Sequence, residues 1–199
     1  MLNHVRENAS AARLGNVSTL AGAAEELDVA PESFDAVTCR LGLMLFAEPA
    51  KALAAAKRAL KPGGTVAVVV PTTPAANPFL ARPMQILLQR AGKAPPAPGR
   101  PGLFALGAPG VLERLLSDSG FESVEQRTVA PPLRLPSAAD AIAMMQDAFG
   151  AYRAVVSDCS EAVRSAAWAE VTEALKSFET PTEFEGPTEL LIAAGVKPS

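Results

Sequence analysis

The chain has 199 residues, of which 49% are apolar and 20% are charged, and its net charge is −3. This balance is typical of a globular protein with its own core and excludes disorder of the whole chain. Lysine and arginine never occur in runs longer than two, so the pattern of a nucleic-acid-binding surface is absent. Apolar runs such as 66–70 are far too short to cross a membrane.

Several classes of chemistry are disfavoured by the residues present. The first fifteen residues are polar, unlike a secretory signal peptide, and Cys39 and Cys159 lie far apart, which together predict reduced thiols in the cytoplasm. With the single histidine, His4, these cysteines cannot form a zinc cluster, so no metal site is predicted. The printed sequence also lacks the phosphate loop, the serine nucleophile elbow and the dinucleotide-binding glycine loop.

The first predicted elements precede residue 40. Apolar residues at helical spacing predict a helix over 1–13, with Gly15 as its C-terminal glycine. A short strand is predicted over 16–20. The apolar, β-branched segment FDAVTC, residues 34–39, indicates a buried parallel strand.

A βαβ unit is predicted to follow. Pro49 suits the first turn of a helix, which must end before the sequence KPGG at 61–64. The segment TVAVVV at 65–70 is continuous, β-branched and bounded by glycine and proline, which is typical of a strand. Strand, helix and strand in this order predict two parallel strands joined by a right-handed crossover.

Proline and glycine are frequent over 71–110, where Asn77 is predicted to cap a helical segment that Pro83 kinks or restarts. The remaining predicted elements are, in chain order, a helix over 109–119, a strand over 121–129, a helix from the capping box of Ser137 and Asp140 to 149, a helix from Asp158 to 178, and a strand over 188–196.

Six short motifs occur in a characteristic order. They are LAGAAEEL at 20–27, FDAVTCRLGLMLFAEP at 34–49, RALKPGGTVAV at 58–68, NPFL at 77–80, PGLFALGAP at 101–109 and GFESVE at 120–125. In this order and spacing they resemble the second half of a class I S-adenosylmethionine-dependent methyltransferase of the ubiquinone/menaquinone-biosynthesis type. The resemblance spans nearly the whole chain.

The resemblance implies an α/β fold with a Rossmann-like sheet in the order 3-2-1-4-5-7-6, in which strand 7 is antiparallel. Residues 17–20, 36–39, 65–70, 121–129 and 188–196 would be strands 3, 4, 5, 6 and 7. Strands 1 and 2 would precede residue 1, so we expect a single partial methyltransferase domain that lacks them. Its expected parts are a remaining core over 1–71, a lid segment over 72–108, and C-terminal helices with strands 6 and 7 over 109–199.

Ligands of doubly wound sheets bind at the carboxyl ends of the strands. The resemblance therefore implies that S-adenosylmethionine is bound by the residues that follow strands 3 and 4. These are Gly22, Ala23, Ala24, Glu25, Cys39, Arg40 and Leu41. Ala23 departs from the family, which usually has an aspartate there to hold the adenine amino group, and a plain turn over 22–24 is the alternative interpretation.

Five apolar side chains are candidates for an acceptor pocket beneath the lid: Met44, Phe46, Phe79, Met84 and Phe104. Ordinary core packing is the alternative. Methyl transfer from a sulfonium requires a positioned acceptor and the exclusion of water rather than a protein nucleophile. We assign no catalytic residue, because no side chain stands out as a general base, and Cys39 is expected to be a small buried residue.

The leading hypothesis is a cytoplasmic methyltransferase that acts on a small-molecule acceptor, without nucleic-acid or membrane partners, and that is inactive if the missing strands abolish cofactor binding. The alternative is a non-catalytic remnant that acts as an interaction or dimerisation module, since an open edge of strand 4 favours pairing in a homodimer. A true start further upstream is another interpretation. A nicotinamide-dependent oxidoreductase is disfavoured, because its glycine fingerprint is absent.

Overall fold

The computed structural model describes residues 2–97 and 99–199. Its strands are β1 (Phe34–Arg40), β2 (Leu60–Pro71), β3 (Glu122–Val129), β4 (Leu133–Leu135), β5 (Phe184–Gly186) and β6 (Leu190–Val196). Its helices are α1 (Leu2–Ala11), α2 (Pro49–Ala59), α3 (Pro78–Arg90), α4 (Val111–Asp118), α5 (Ala138–Ala148), α6 (Gly150–Val155) and α7 (Glu161–Leu175). None of the described helices has the length and apolar character needed to cross a membrane.

Four strands form the main sheet, in the order β1-β2-β6-β3. β1 runs parallel to β2, with Val37 opposite Val66, and β6 runs antiparallel to both β2 and β3. This order is the 4-5-7-6 half of the sheet that the resemblance implies, including the antiparallel strand 7. The predicted α/β, Rossmann-like fold class is therefore confirmed, and strands 1, 2 and 3 have no counterpart among the described residues.

The predicted βαβ unit is present, with Pro49 in the first turn of α2. After the helix, Gly63 adopts φ +75°, and a Cβ atom on Gly64 would lie 2.9 Å from the carbonyl oxygen of Lys61. Only glycine satisfies both conditions without strain. β2 begins at Leu60, earlier than predicted, because Leu60 already pairs with Phe34 of β1.

The predicted strand over 16–20 is wrong. Residues 16–20 form neither helix nor strand, and Val17 and Leu20 are exposed. A strand requires a neighbour for its backbone hydrogen bonds, and no described strand lies beside this segment.

The predicted N-terminal helix is confirmed as α1, but its predicted end is wrong. Arg13, with φ 54°, takes the left-handed position expected for Gly15. The N–H of Arg13 donates to the carbonyl of Ser10, and the N–H of Leu14 donates to that of Ala9. These two bonds form a Schellman motif, which ends the helix two residues early.

Several details of the second half also differ from prediction. Asn77 precedes α3 but makes no capping hydrogen bond, and α3 continues through Pro83. Ser160, rather than Asp158, caps α7 by accepting from the N–H of Val163. The antiparallel pair of β4 and β5 and the helix α6 are unpredicted. The capping box of Ser137 is confirmed, since its hydroxyl accepts from the N–H of Asp140.

The buried apolar residues form two clusters. The sheet core lies against β2 and includes Leu53, Val66, Val68, Leu112, Leu116 and Phe121. The cover core lies among α3, α5, α6, α7 and β5 and includes Phe79, Leu87, Met145, Tyr152, Val171 and Phe184. We call residues 73–97, 99–105 and 130–188 the cover. Residues 109–199 thus divide between the two cores, because α4, β3 and β6 belong with the sheet.

Gly107 provides a test of how the chain returns to the sheet. A Cβ atom at Gly107 would overlap the carbonyl oxygens of Pro71 and Thr72, which are rigid backbone atoms. We expect Gly107→Ala to lower the free energy of unfolding by about 2 kcal/mol or more, the range of severe overpacking. Urea unfolding monitored by circular dichroism measures this change.

The matched control is Gly102→Ala in the same loop, where the nearest atom to the new Cβ, Pro96 Cγ, lies 3.9 Å away. This variant should remain within about 0.5 kcal/mol of the unmodified chain, because the new methyl group makes only ordinary van der Waals contact and the N–H bond from residue 102 to Met44 is kept. Equal destabilisation by the two substitutions would contradict the close approach of Gly107 to the end of β2.

Candidate functional site

The carboxyl end of β1 contains a strained residue. Leu41 has φ +56°, a region that side chains other than glycine rarely adopt, and its N–H donates to the carbonyl of Val69 over 2.9 Å. Such a conformation costs about 1–3 kcal/mol and often marks a functional turn. After Leu41 the chain leaves the sheet and forms a 3-10 turn over Leu43–Leu45.

A second predicted segment lies beside α2. A 3-10 turn over Ala24–Glu26 packs against this helix. Glu25 Oε1 accepts a hydrogen bond from the N–H of Glu48, just before the helix, over 3.4 Å. Near the other end, Arg58 Nη2 donates to the carbonyl of Leu27 over 2.8 Å. Contacts to α2 therefore position residues 24–27 without a strand.

These two segments meet at an apolar cleft of about 390 Å³. Ala24 contributes from the 3-10 turn and Cys39 from β1. The other lining residues are apolar apart from Thr38 and come from 27–38, from 43–46, from α2 and from β2. The structure thus brings together Ala24 and Cys39 of the predicted cofactor set. Five other predicted residues do not line the cleft: Gly22, Ala23, Glu25, Arg40 and Leu41.

The charged residues of β1 lie outside the cleft. Asp35, near the amino end of the strand, accepts a hydrogen bond from Lys61 Nζ over 2.7 Å, and this hydrogen bond lowers the pKa of Asp35. Arg40, near the carboxyl end, is exposed and forms no ion pair with a described residue. Within residues 2–97 and 99–199, no group of three or more His, Cys, Asp or Glu residues is placed to hold a metal ion.

The predicted acceptor-pocket residues occupy both cores. Met44 is buried in the sheet core, and Phe46 lines the cleft. Phe79 is buried in the cover core, where its ring lies 5.7 Å from that of Phe184. Met84 and Phe104 pack against the same cover core. The structure therefore does not bring these five side chains together around one cavity.

A cluster of three polar residues at the carboxyl end of β2 was not predicted from the sequence. Thr72, Asn77 and Glu189 are joined by side-chain hydrogen bonds at the point where the chain leaves the sheet. Asn77 is 0% exposed. The only sequence signal was an asparagine before a proline, which we interpreted as a helix cap.

Comparison with known proteins identifies the class of fold. Residues 1–68 match a family described as a methyltransferase domain. A demethylmenaquinone methyltransferase of Renibacterium salmoninarum is 43% identical over 67 residues, which are 34% of this chain and 28% of the relative. The chain therefore spans well under a third of the length of that curated relative.

Solved structures resemble the whole chain. A Bacillus halodurans protein proposed to be a methyltransferase has a TM-score of 0.61 at 18% identity, covering 100% of this chain and 79% of the other. The YcgJ protein of Bacillus subtilis has a TM-score of 0.57 at 17% identity and the same coverages. The [4+2]-cyclase SpnF has a TM-score of 0.54 at 19% identity, covering 99% of this chain and 62% of the other.

The chain has the Rossmann-like fold of class I methyltransferases. Its first third carries the matching part of a methyltransferase domain, so the resemblance found in the sequence is confirmed. SpnF is named as a cyclase, and a fold alone therefore does not identify the reaction.

The apolar lining of the cleft predicts binding of an apolar dye. Ala56 of α2 lines the cleft and is half-buried, whereas Ala54 of the same helix is exposed and does not. We expect Ala56→Glu to reduce the fluorescence of bound anilinonaphthalene sulfonate several-fold, because a carboxylate in an apolar site disfavours both burial and the anionic dye.

Ala54→Glu adds the same charge to the same helix and should leave the fluorescence nearly unchanged. If both variants reduced it equally, or neither did, the dye would bind elsewhere and the cleft would not be an accessible apolar site. A fluorescence titration of the three proteins decides among these results.

Proposed function

We propose that this chain is the carboxyl-terminal part of an S-adenosylmethionine-dependent methyltransferase domain whose acceptor is a small molecule. One observation carries the proposal: residues 1–68, which match the methyltransferase domain family, include β1 and α2, and these contribute to an apolar cleft. The strand order β1-β2-β6-β3 supports the same assignment.

The residues around the cleft fit part of the cofactor. The cleft is apolar and receives Ala24 and Cys39, which suits the face of an adenine ring. The exposed guanidinium of Arg40 lies at the carboxyl end of β1 and suits the cofactor carboxylate. No carboxylate lines the cleft to accept from the ribose hydroxyls, so we expect weak binding by these residues. When bound, the cofactor supplies an electrophilic methyl group.

The protein's contribution to the reaction is positioning. The cover begins at the carboxyl end of β2, where ligands of such sheets bind, although no cover residue lines the cleft. An acceptor held between the cleft and the start of the cover would be aligned and shielded from water, which favours a small molecule over a polymer. The name of the Renibacterium relative, demethylmenaquinone methyltransferase, favours an apolar aromatic acceptor.

Equilibrium dialysis against labelled S-adenosylmethionine tests this function. Saturable binding that S-adenosylhomocysteine displaces would support the proposal, and transfer of label to small quinols or phenols would establish the activity. If no binding occurs at millimolar cofactor, the chain as it stands has the fold without the function.

Ala23 offers a sharper test, because the family usually has an aspartate there. We expect Ala23→Asp to tighten binding of S-adenosylhomocysteine by about tenfold, since one hydrogen bond to a charged group contributes roughly 1.5–3 kcal/mol and part of this is offset by desolvation. Isothermal titration calorimetry measures the affinity.

Ala30→Asp is the control, because Ala23 and Ala30 are both exposed and neither lines the cleft, but only Ala23 stands where the family usually has the aspartate. It adds the same charge and should leave the affinity unchanged. Equal effects of the two substitutions would indicate a general electrostatic influence and would contradict the proposed placement of the adenine beside Ala24.

A second candidate function, an interaction or dimerisation module, is favoured by the edge of β1. Phe34 is 44% exposed, and Ala36 and Thr38 are also exposed although the strand is apolar in sequence. The N–H of Leu41 points toward β2, so by alternation the backbone groups of Ala36, Thr38 and Arg40 point away from the sheet. Such an edge accepts a further strand, including that of a second copy.

Sedimentation at several protein concentrations tests this module. If β1 pairs between two copies, the mass should approach twice that of the chain as concentration rises. Ala36→Lys should restore the monomer, because lysine on an edge strand opposes pairing. Ala54→Lys on the exposed face of α2 should not, and a monomer at every concentration excludes the homodimer.

A further inference from the structure

The cover is internally connected by polar contacts as well as by its own core. Arg90 of α3 forms an ion pair with Glu170 of α7 at 2.6 Å. The buried hydroxyl of Tyr152 in α6 donates to the carbonyl of Leu80 in α3 over 2.9 Å. Arg82 of α3 donates to Ser177 Oγ over 2.9 Å, beyond the end of α7. These contacts join α3 to α6 and α7, so the two chain segments of the cover form one body.

The chain passes between sheet and cover at one end of the sheet. It leaves after β2 and after β3, and it enters again before α4, where Gly107 lies against Pro71 and Thr72, and before β6. The N–H of Thr72 donates to the carbonyl of Glu189 over 3.0 Å, and Thr188 Oγ1 donates to the carbonyl of Pro131 over 2.5 Å. The connections therefore lie side by side rather than being spread around the fold.

Asn77 is the centre of this region. Its Nδ2 donates to Thr72 Oγ1 over 3.1 Å and to the carbonyl of Thr73 over 3.0 Å. Its Oδ1 accepts from the N–H of Glu189 over 2.8 Å. Thr72 Oγ1 in turn donates to Glu189 Oε1 over 2.7 Å. Because Asn77 is fully buried, the loss of one of its bonds leaves an amide N–H or the amide oxygen of Asn77 without a partner, which is costly.

Away from the Asn77 group, the sheet and the cover make few contacts. Among the described residues, the N–H of Gly102 donates to the carbonyl of Met44 over 3.0 Å, and Leu103 packs against both cores. Met44 follows β1, so this contact lies at the carboxyl end of β1, whereas the Asn77 group lies at the carboxyl end of β2. The cover is held to the sheet by several hydrogen bonds at the Asn77 group and by few contacts at Met44. A rigid-body motion of the cover would therefore have its axis at the Asn77 group.

We propose that the cover moves as one rigid body about the Thr72–Asn77–Glu189 group, and that separation of Gly102 from Met44 opens the carboxyl ends of β1 and β2. Asn77 is the positioning residue of this motion, because it sets the orientation of α3 relative to β2 and β6. The inference goes beyond the proposed function and requires neither cofactor nor acceptor for its test.

Distances between spin labels test the motion directly. The two native cysteines are first removed by Cys39→Ala and Cys159→Ser. Labels at Ala54→Cys in α2 and Ala166→Cys in α7 then report the sheet-to-cover distance. All label sites are exposed. A second pair, Gln85→Cys in α3 with Ala166→Cys, reports distances within the cover. Pulsed electron–electron double resonance yields both distance distributions.

The decisive change is Thr72→Val, which keeps the shape of the side chain but removes the hydroxyl that Asn77 and Glu189 share. We expect the sheet-to-cover distribution to become about twice as wide or wider, since the loss of one buried and one part-buried hydrogen bond shifts a conformational equilibrium by roughly tenfold or more. The distribution within the cover should stay narrow. Thr72→Ser retains the hydroxyl and should match the unmodified chain.

Glu189→Ala is a milder second variant, because Glu189 is only half-buried and its backbone bonds remain. It should widen the sheet-to-cover distribution in the same direction. Unchanged distributions in both variants, widening within the cover, or equal behaviour of Thr72→Ser and Thr72→Val would overturn the proposal. Cofactor binding is measured separately. If the proposed function fails, the distance distributions still test the motion of the cover.

Discussion

The pairing of β2 on both of its edges is the constraint on which the rest of the structure depends. This strand runs parallel to β1 and antiparallel to β6, and Val66, Val68 and Val70 are buried on one of its faces. The same strand ends at Pro71, where the chain leaves for the cover. The position of β2 therefore determines where the cleft lies on one side and where the cover is attached on the other.

The local parts of this arrangement were predictable from sequence because their causes are local. A continuous β-branched run between Gly64 and Pro71 has few alternatives to a buried strand, and Pro49 begins a helix by fixing φ. The segment 17–20 has a similar short apolar pattern, yet it forms no strand. Its failure has a nonlocal cause, since a strand exists only when a neighbour accepts its hydrogen bonds.

The candidate site also has some features that the sequence predicts and others that it does not. Ala24 and Cys39 line one cleft, as the resemblance implies, but Ala24 lies there because its 3-10 turn packs against α2 and not because a strand ends beside it. Phe79 could not be assigned from its spacing, because an apolar residue in a helix has the same sequence pattern whether it lines a pocket or fills a core. The existence of a separate cover core became evident only when α3 was seen packed on α7.

Asn77 shows why the role of a buried polar residue is harder to predict from the sequence than that of an apolar residue. A cap is a contact within three residues, so an asparagine before a proline predicts one readily. The observed partners include the N–H of Glu189, which lies 112 positions further along the chain. Two distant connections meet there only because β6 inserts beside β2. The antiparallel strand that completes the sheet is therefore also what places Glu189 beside Asn77 and makes a common junction for the cover.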